Sequence, residues 1–423
     1  MRRYALLASL LLACAPPQGR DSFVLRIALW GPLGQLRPTD TEGALASIAA
    51  SWIFDKIASV DDTGRLRPSF ATAIERLPGS RYRIALGRQR TFSDGSPVTD
   101  EDVIRSLTGS GLRVEPSGEG DFLVEAHDPG LPPEALILNT LIYRKTNGQF
   151  LGSGPFFVAS ESEHELRLVR RNAQRDHVNE VRLIAYATSR DAFSHTLKGD
   201  ANLIFDLEPR WREFFDGVPS LRVLKTAGRS TDALIFNSAL SRQERLALAA
   251  TLTAEPVRDQ AYGDADCSES RTASPEQVPL PPGRPLEVLG WGPFERLALS
   301  ARRGLGERGG EVTVAPPAEV LSRMKARRFD LVTARPLMWP PSTMSLIWRT
   351  GAPQNLSGYS NPALDKALDA GDWAAAEAAL RADPPAAFVC TRDKLAVVDA
   401  RIKNARLGPY EILETLPEWE VTQ

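Results

Sequence analysis

Histidine and cysteine are scarce, four and three among 423 residues. The histidines His127, His164, His177 and His195 are scattered without metal-ligand spacing, so neither a metal nor any other cofactor is expected. A Walker A loop and a G-x-S-x-G nucleophile elbow are both missing, which leaves no candidate catalytic site and no ground for reading the chain as an enzyme. Strong charge of one sign is missing too: 51 Lys and Arg against 53 Asp and Glu give a formal net charge of −2, with no overall bias towards nucleic acid. Beyond Leu12 no run approaches the ~20 consecutive apolar residues that would cross a bilayer. With 25% charged and 43% hydrophobic residues, the bulk of the chain has ordinary globular composition. Its length exceeds what one core usually holds, so two or more domains are expected.

Two patterns that imitate functional motifs are better read as local structure. Gly304-Leu305-Gly306-Glu307-Arg308-Gly309 has the spacing of a dinucleotide fingerprint. It follows a predicted helix and precedes a strand, the reverse of what phosphate binding at a helix N-terminus requires. Asp100-Glu101-Asp102 falls on the first turn of a predicted helix, where acidic residues complement the helix dipole.

What is present begins at the N-terminal end. Arg2 and Arg3 precede a short apolar run from Tyr4 to Leu12, the form of an export signal. Leu11-Leu12-Ala13-Cys14 resembles a bacterial lipobox, which implies removal of residues 1–13 and lipidation of Cys14. A thioether-linked diacylglycerol plus an N-terminal acyl chain, at about 0.8 kcal/mol per buried CH₂, would hold the protein stably on a membrane. Residues 14–22 would be a tether, and the protein would lie in the periplasm or at the cell surface. Cys267 and Cys390 are then the remaining thiols, and the sequence leaves open a disulfide or two buried free cysteines.

The rest alternates between strands and helices. Val24 to Trp30 reads as a strand, and Glu42 to Ala58 as a helix capped by Thr41. Tyr82 to Leu86 reads as a strand, and Phe92 to Val103 as an Asp-Gly turn running into a helix capped by Thr99. From Leu286 to Thr333 the pattern is strand, helix, strand, helix, strand, a βαβαβ unit whose parallel strands would place a crevice at their carboxyl ends. Trp291 and the segment Ala334 to Trp339 fall at that edge.

Several segments together, in order, resemble the family 5 extracellular solute-binding proteins, the dipeptide, oligopeptide and nickel binders of ABC importers. They are Leu66–Ala71, Phe92–Val103, Gly152-Ser153-Gly154-Pro155-Phe156, Leu168–Asn172, Leu234-Ile235-Phe236-Asn237, Phe329-Asp330-Leu331, and Gly358-Tyr359-Ser360-Asn361-Pro362 with Asp365. The resemblance implies an α/β fold of the periplasmic-binding-protein type II kind, two lobes joined by crossing strands in a Venus-flytrap arrangement. The short stretch between Leu107 and Gly152 implies a reduced extra subdomain in lobe I. Expected boundaries are 23–236 for lobe I, 237–399 for lobe II and 400–423 for a return to lobe I. Phe236 and Asn237 are expected at the hinge.

The resemblance also implies partners: a small-molecule or short-peptide solute, an ABC permease, the membrane through the N-terminal lipid, and no nucleic acid, with the protein itself a monomer. Where the family's peptide binders carry an acid for the ligand's α-amino group, this chain has Trp339, and Arg335 is the nearest charge. An ammonium buried there would lack its partner, a cost of several kcal/mol. Trp30, Trp291, Arg335 and Trp339 are therefore the candidate ligand-binding residues, suited to an anionic, aromatic or sugar-like solute. The rival reading is a lipoprotein that keeps this fold without transport, as a sensor, a chaperone or an interaction module.

Overall fold

The computed structural model describes residues 23–34, 36–38, 44–61, 63–87, 90–207, 209–263, 267–268, 278–408 and 410–422. Cys14, the 1–13 signal, the 14–22 tether and the Thr41 cap lie outside them. Among the described residues no helix is long and apolar enough to cross a membrane.

Val24–Trp30 forms a strand that pairs in parallel with Glu180–Tyr186 on one side and Leu203–Phe205 on the other. One of its faces is fully buried and the other is covered around Ala28, in keeping with a central parallel strand. Leu25, Ile27 and Leu29 join a core with Trp52, Phe156 and Trp419. Ala28 faces Ala192, Phe193 and Phe215. The sheet has seven strands, in the order 156–161, 165–170, 180–186, 24–30, 203–205, 394–399 and 221–226. It is the body of lobe I.

An antiparallel four-stranded sheet, in the order 71–77, 81–86, 121–126 and 112–118, makes the extra subdomain with the helix Asp100–Gly109. Thr99 and Asp102 form a capping box at the start of that helix, satisfying two otherwise orphaned N–H groups. Asp102 is also buried under Arg144, whose Nε lies 3.0 Å from Oδ1 and whose guanidinium sits 4.6 Å above the Phe92 ring. The segment Phe92–Val103 thus builds structure. Gly152 and Gly154 do likewise, because a Cβ at either would lie 2.0 and 2.5 Å from the carbonyl oxygens of Ile53 and Trp52.

Lobe II is a six-stranded sheet in the order 267–268, 386–392, 231–236, 331–334, 286–290 and 309–314. The expected βαβαβ unit is there: strands 286–290, 309–314 and 331–334 are parallel, with helices Glu295–Gly304 and Pro317–Lys325 between them. The glycine-rich run ends the first helix, makes one 3-10 turn at Gly306–Arg308 and enters the strand. Cys267 and Cys390 are joined in a disulfide with Cα atoms 5.2 Å apart, tying the edge strand to Ala386–Arg392.

The boundaries differ from expectation at both crossings. The strand Leu221–Thr226 belongs to lobe I and Thr231–Phe236 to lobe II, so the first crossing is residues 227–230. Ala386–Arg392 belongs to lobe II and Lys394–Asp399 to lobe I, so the return passes through Asp393 and precedes residue 400. Phe236 and Asn237 are not at a hinge. Phe236 is buried in lobe II, and Asn237 donates from Nδ2 to the carbonyls of Arg327 and Phe329 at 3.0 and 2.7 Å. Both residues fasten the far end of their strand inside one lobe. At the true crossing Gly228 has no room for a side chain: a Cβ would stand 1.8 Å from the Arg392 carbonyl oxygen. Asp393 ties the two segments, accepting from Gly228 N at 3.1 Å and pairing with Lys225 at 2.8 Å.

Candidate functional site

Trp30, Trp291 and Arg335 all lie where strands end at their carboxyl edges, directly after or at the last residue of 24–30, 286–290 and 331–334. This is the edge at which open α/β sheets offer crevices. Trp339 follows in the loop that leads to Pro340 and Pro341.

The structure brings Trp291 and Arg335 together on one ring. The Trp291 ring stands 5.0 Å from that of Phe294, and the Arg335 guanidinium lies 5.5 Å from the same Phe294 ring. Trp291 also donates from Nε1 to the Thr333 carbonyl at 3.2 Å and packs against both lobe II cores. Its ring is thereby largely committed to holding the sheet edge. Trp339 sits between the lobes: Tyr410 of lobe I is 6.3 Å away, and the Arg229 guanidinium of the first crossing lies 5.2 Å over its ring. Gly64, at φ +82°, comes against the same loop, where a Cβ would lie 2.7 Å from Pro341 Cδ and 3.3 Å from Trp339 Nε1. Trp30 is half-buried and packs with the aromatic cluster around Phe193 in lobe I.

Charge is concentrated beside these residues. Asp232, 2% exposed and followed by the apolar run Ala233 to Phe236 of its strand, is shared by two arginines and a tyrosine. Its Oδ1 accepts from Arg335 Nε at 2.6 Å; its Oδ2 is 3.1 Å from Arg392 Nη2 and accepts from the Tyr262 hydroxyl at 3.2 Å. Burial and the adjacent Asp232 charge push the Tyr262 phenol far up, so it remains a neutral donor. Burial opposes the charge on Arg335, and the charge and hydrogen bond of Asp232 outweigh it. Asp206 of lobe I, exposed and in the left-handed region at φ 55°, stands 3.9 Å from Arg335 Nη1.

A second group of ionisable residues lies on the lobe I side. Lys56 pairs with Glu411 and lies 5.5 Å over the Tyr410 ring, while Lys394 donates to the Tyr410 carbonyl at 3.1 Å. Burial, then the neighbouring Glu411 charge, push Glu414 up to about 7. Burial holds Lys394 below the ordinary lysine range. Among the described residues no group of three or more His, Cys, Asp or Glu side chains stands where it could hold a metal ion.

Farther along the boundary, a cavity of about 300 Å³ separates the extra subdomain from the lobe II helices 362–370 and 373–382. Its lining includes Arg76, Glu134, Arg349, Asp369 and Trp373. Here the charges are already matched: Arg349 forks onto Asp369 through Nε and Nη2, and Glu134 accepts from the Tyr82 hydroxyl at 2.5 Å.

Asp232, Arg392, Tyr262, Asp206 and the Lys56–Glu411–Glu414–Lys394 group were not among the residues singled out from the sequence. An acid inside Thr231-Asp232-Ala233-Leu234-Ile235-Phe236 was the available signal, since a buried strand tolerates a carboxylate only where a partner meets it.

No family model and no curated protein sequence matches the chain. Solved structures do. The oligopeptide-binding protein AppA of Bacillus subtilis, in complex with a nonapeptide, superposes with a TM-score of 0.76 at 16% identity over 95% of this chain and 99% of that one. NikA of Staphylococcus aureus, in complex with Ni(L-His)2, gives 0.74 at 13% identity over 94% and 100%. AgaA of A. tumefaciens, in complex with agropinic acid, gives 0.74 at 15% identity over 95% and 99%. The chain therefore has the type II periplasmic-binding-protein fold of the peptide- and nickel-type solute-binding proteins.

Proposed function

We propose that the protein is an extracytoplasmic solute-binding protein, anchored through a lipidated Cys14, that captures a small solute between its lobes and delivers it to an ABC permease. The observation that carries this reading is the pair of separate sheets between which the chain passes at residues 227–230 and at Asp393, with half-exposed charged and aromatic groups of both lobes facing one another beside that junction. A solute touching both lobes would favour the closed arrangement by its differential affinity for it, and the closed form is what a permease can recognise. Proteins of the same fold hold a nonapeptide, a nickel–histidine complex and agropinic acid, so the fold alone does not select the solute.

Capture of free peptides by their N-terminus is disfavoured. Trp339 stands where the peptide binders of this fold class carry an acid, and the buried acid nearby, Asp232, is already shared by two arginines. The test is a thermal-shift and small-angle-scattering screen of the exported protein against peptides, sugars, organic anions and metals. A solute at 100 times its Kd adds about 2.7 kcal/mol of stability, and binding should also shrink the radius of gyration. Stabilisation by free peptides alone would overturn the Trp339 argument.

One observation favours a second reading, a lipoprotein on this fold that senses or docks without transport. The lobes touch one another directly, Trp339 against Tyr410 and the Trp339–Pro341 loop against Gly64. If no solute class stabilises the protein or compacts it, that reading takes precedence.

A further inference from the structure

Most buried or half-buried arginines in this protein have their donors used. Arg144 gives four hydrogen bonds to Asp102, Ser96 and the Pro97 carbonyl, and Arg170 gives two to backbone carbonyls. Arg335 and Arg392 differ. Arg335 Nε donates to Asp232 and Arg392 Nη2 stands 3.1 Å from the same carboxylate, and among the described residues neither guanidinium has a further side-chain hydrogen bond. Arg392 Nε is buried with no hydrogen-bond partner at all. Two cations sharing one buried carboxylate leave an excess positive charge, and unpaired buried donors are costly. Asp206 does not cancel it at short range: at 3.9 Å it lies beyond hydrogen-bonding distance, and its side chain is 59% exposed to water.

The two planes are nevertheless held in place. Arg335 lies 5.5 Å from the Phe294 ring and Arg392 5.6 Å from the Tyr262 ring, while Asp232 grips both from behind. Their side chains are 31% and 21% exposed, so the open side reaches solvent. Arginine forks held against aromatic rings and partly open to solvent match the flat two-oxygen geometry of a carboxylate. We propose that Arg335 and Arg392, held by Asp232 at the junction of the lobes, are the docking point for a carboxylate of the captured solute. This rests on the solute-binding reading and narrows it to acids.

The test uses the full exported protein and a set of small monocarboxylic acids, each paired with its primary amide, in calorimetry at constant ionic strength. At least one acid should bind where its amide does not. Arg335→Gln and Arg392→Gln should each weaken that binding by roughly tenfold or more, and Arg335→Lys should lose less than Arg335→Gln. Arg349→Gln, in the separate cavity, should leave it unchanged. The acid and amide comparison on the unaltered protein stands even if a variant fails to fold. Equal binding of acids and amides, or binding that survives Arg335→Gln in a folded protein, would overturn the carboxylate site while leaving solute capture intact. No binding by acids, amides, peptides or sugars would overturn both.

Discussion

Asp232→Asn isolates the charge on which the arginine pair depends, because the side chain keeps its shape and loses only its negative charge. The carboxylate is 2% exposed and makes one contact with each of Arg335, Arg392 and Tyr262 at 2.6, 3.1 and 3.2 Å. Removing one partner of a buried ion pair typically costs about 3–5 kcal/mol. Two features of the site lower that figure. Arg335 is about a third exposed and can turn towards Asp206 and water, and the Asn carbonyl can still accept from one donor. Arg392, with its Nε already buried and unpaired, has no such escape. The expected loss is therefore about 3 kcal/mol, concentrated in lobe II, or roughly 6–12 °C in its melting temperature. Urea unfolding followed by near-UV circular dichroism measures it. Asp232→Asn combined with Arg392→Gln should lose less than the sum of the two single changes, because the double variant no longer strands a cation. A loss below about 1 kcal/mol for Asp232→Asn would refute the view that this carboxylate holds the site together.

Three other outcomes follow from the geometry. Glu414 is held up at about 7 by burial and by Glu411; because the folded state then binds a proton more tightly than the unfolded state, stability should fall as pH rises from the ordinary glutamate range through 7. Melting temperatures between pH 5 and 8 should show that fall in the unaltered protein and a flatter profile in Glu414→Gln; an identical slope in both would sink the assignment. Removing the Cys267–Cys390 bond, which closes a separation of 123 residues, should cost about 3–5 kcal/mol, read as a lower unfolding midpoint in Cys267→Ser with Cys390→Ser, and an unchanged midpoint would show that the bond adds nothing. Gly228→Ala must push a Cβ away from the Arg392 carbonyl at the crossing, which should destabilise by about 1–3 kcal/mol and alter solute affinity without touching the solute; normal stability and affinity in that variant would mean the crossing tolerates separation.

The layered α/β design was legible because its signals are local. Val24–Trp30 and the alternation from Leu286 to Thr333 are apolar segments separated by turn residues, and periodicity alone finds them. The crossings were not legible for a related reason. Ala386 to Asp399 runs as two largely apolar strands with the polar run Thr391 to Lys394 at the break, and no Gly or Pro marks that return crossing. Phe236-Asn237 offers the stronger turn signal, yet Asn237 spends it on carbonyls inside lobe II. In the site, Arg335 could be chosen from its position after a strand. Its partner could not, since Asp232 is 103 residues away in sequence and meets it only through antiparallel pairing of their strands. The tryptophans divide along the same line: Trp339 faces the other lobe, whereas Trp291 and Trp30 are held largely by packing.

The position of the charge matters as much as its sign. Arg392 is the last residue of its lobe II strand, adjacent to Asp393, and Arg229 lies within the other crossing segment with its guanidinium over Trp339. Both cations are therefore carried on the few residues about which the lobes would turn. A group far out on a lobe would sweep a long arc for a small change at the crossing, and its contacts would depend on the whole lobe being rigid. A group at the crossing moves little, so an anion bound there can keep its hydrogen bonds through much of the motion while its remaining atoms find or lose contacts farther out. Recognition of the charged end of a solute would then precede closure, and the rest of the solute would decide whether closure is stable. On the proposed reading, affinity for the carboxylate and the propensity to close would be set by different residues, the first by Arg335, Arg392 and Asp232 and the second by the Trp339, Tyr410 and Gly64 contact.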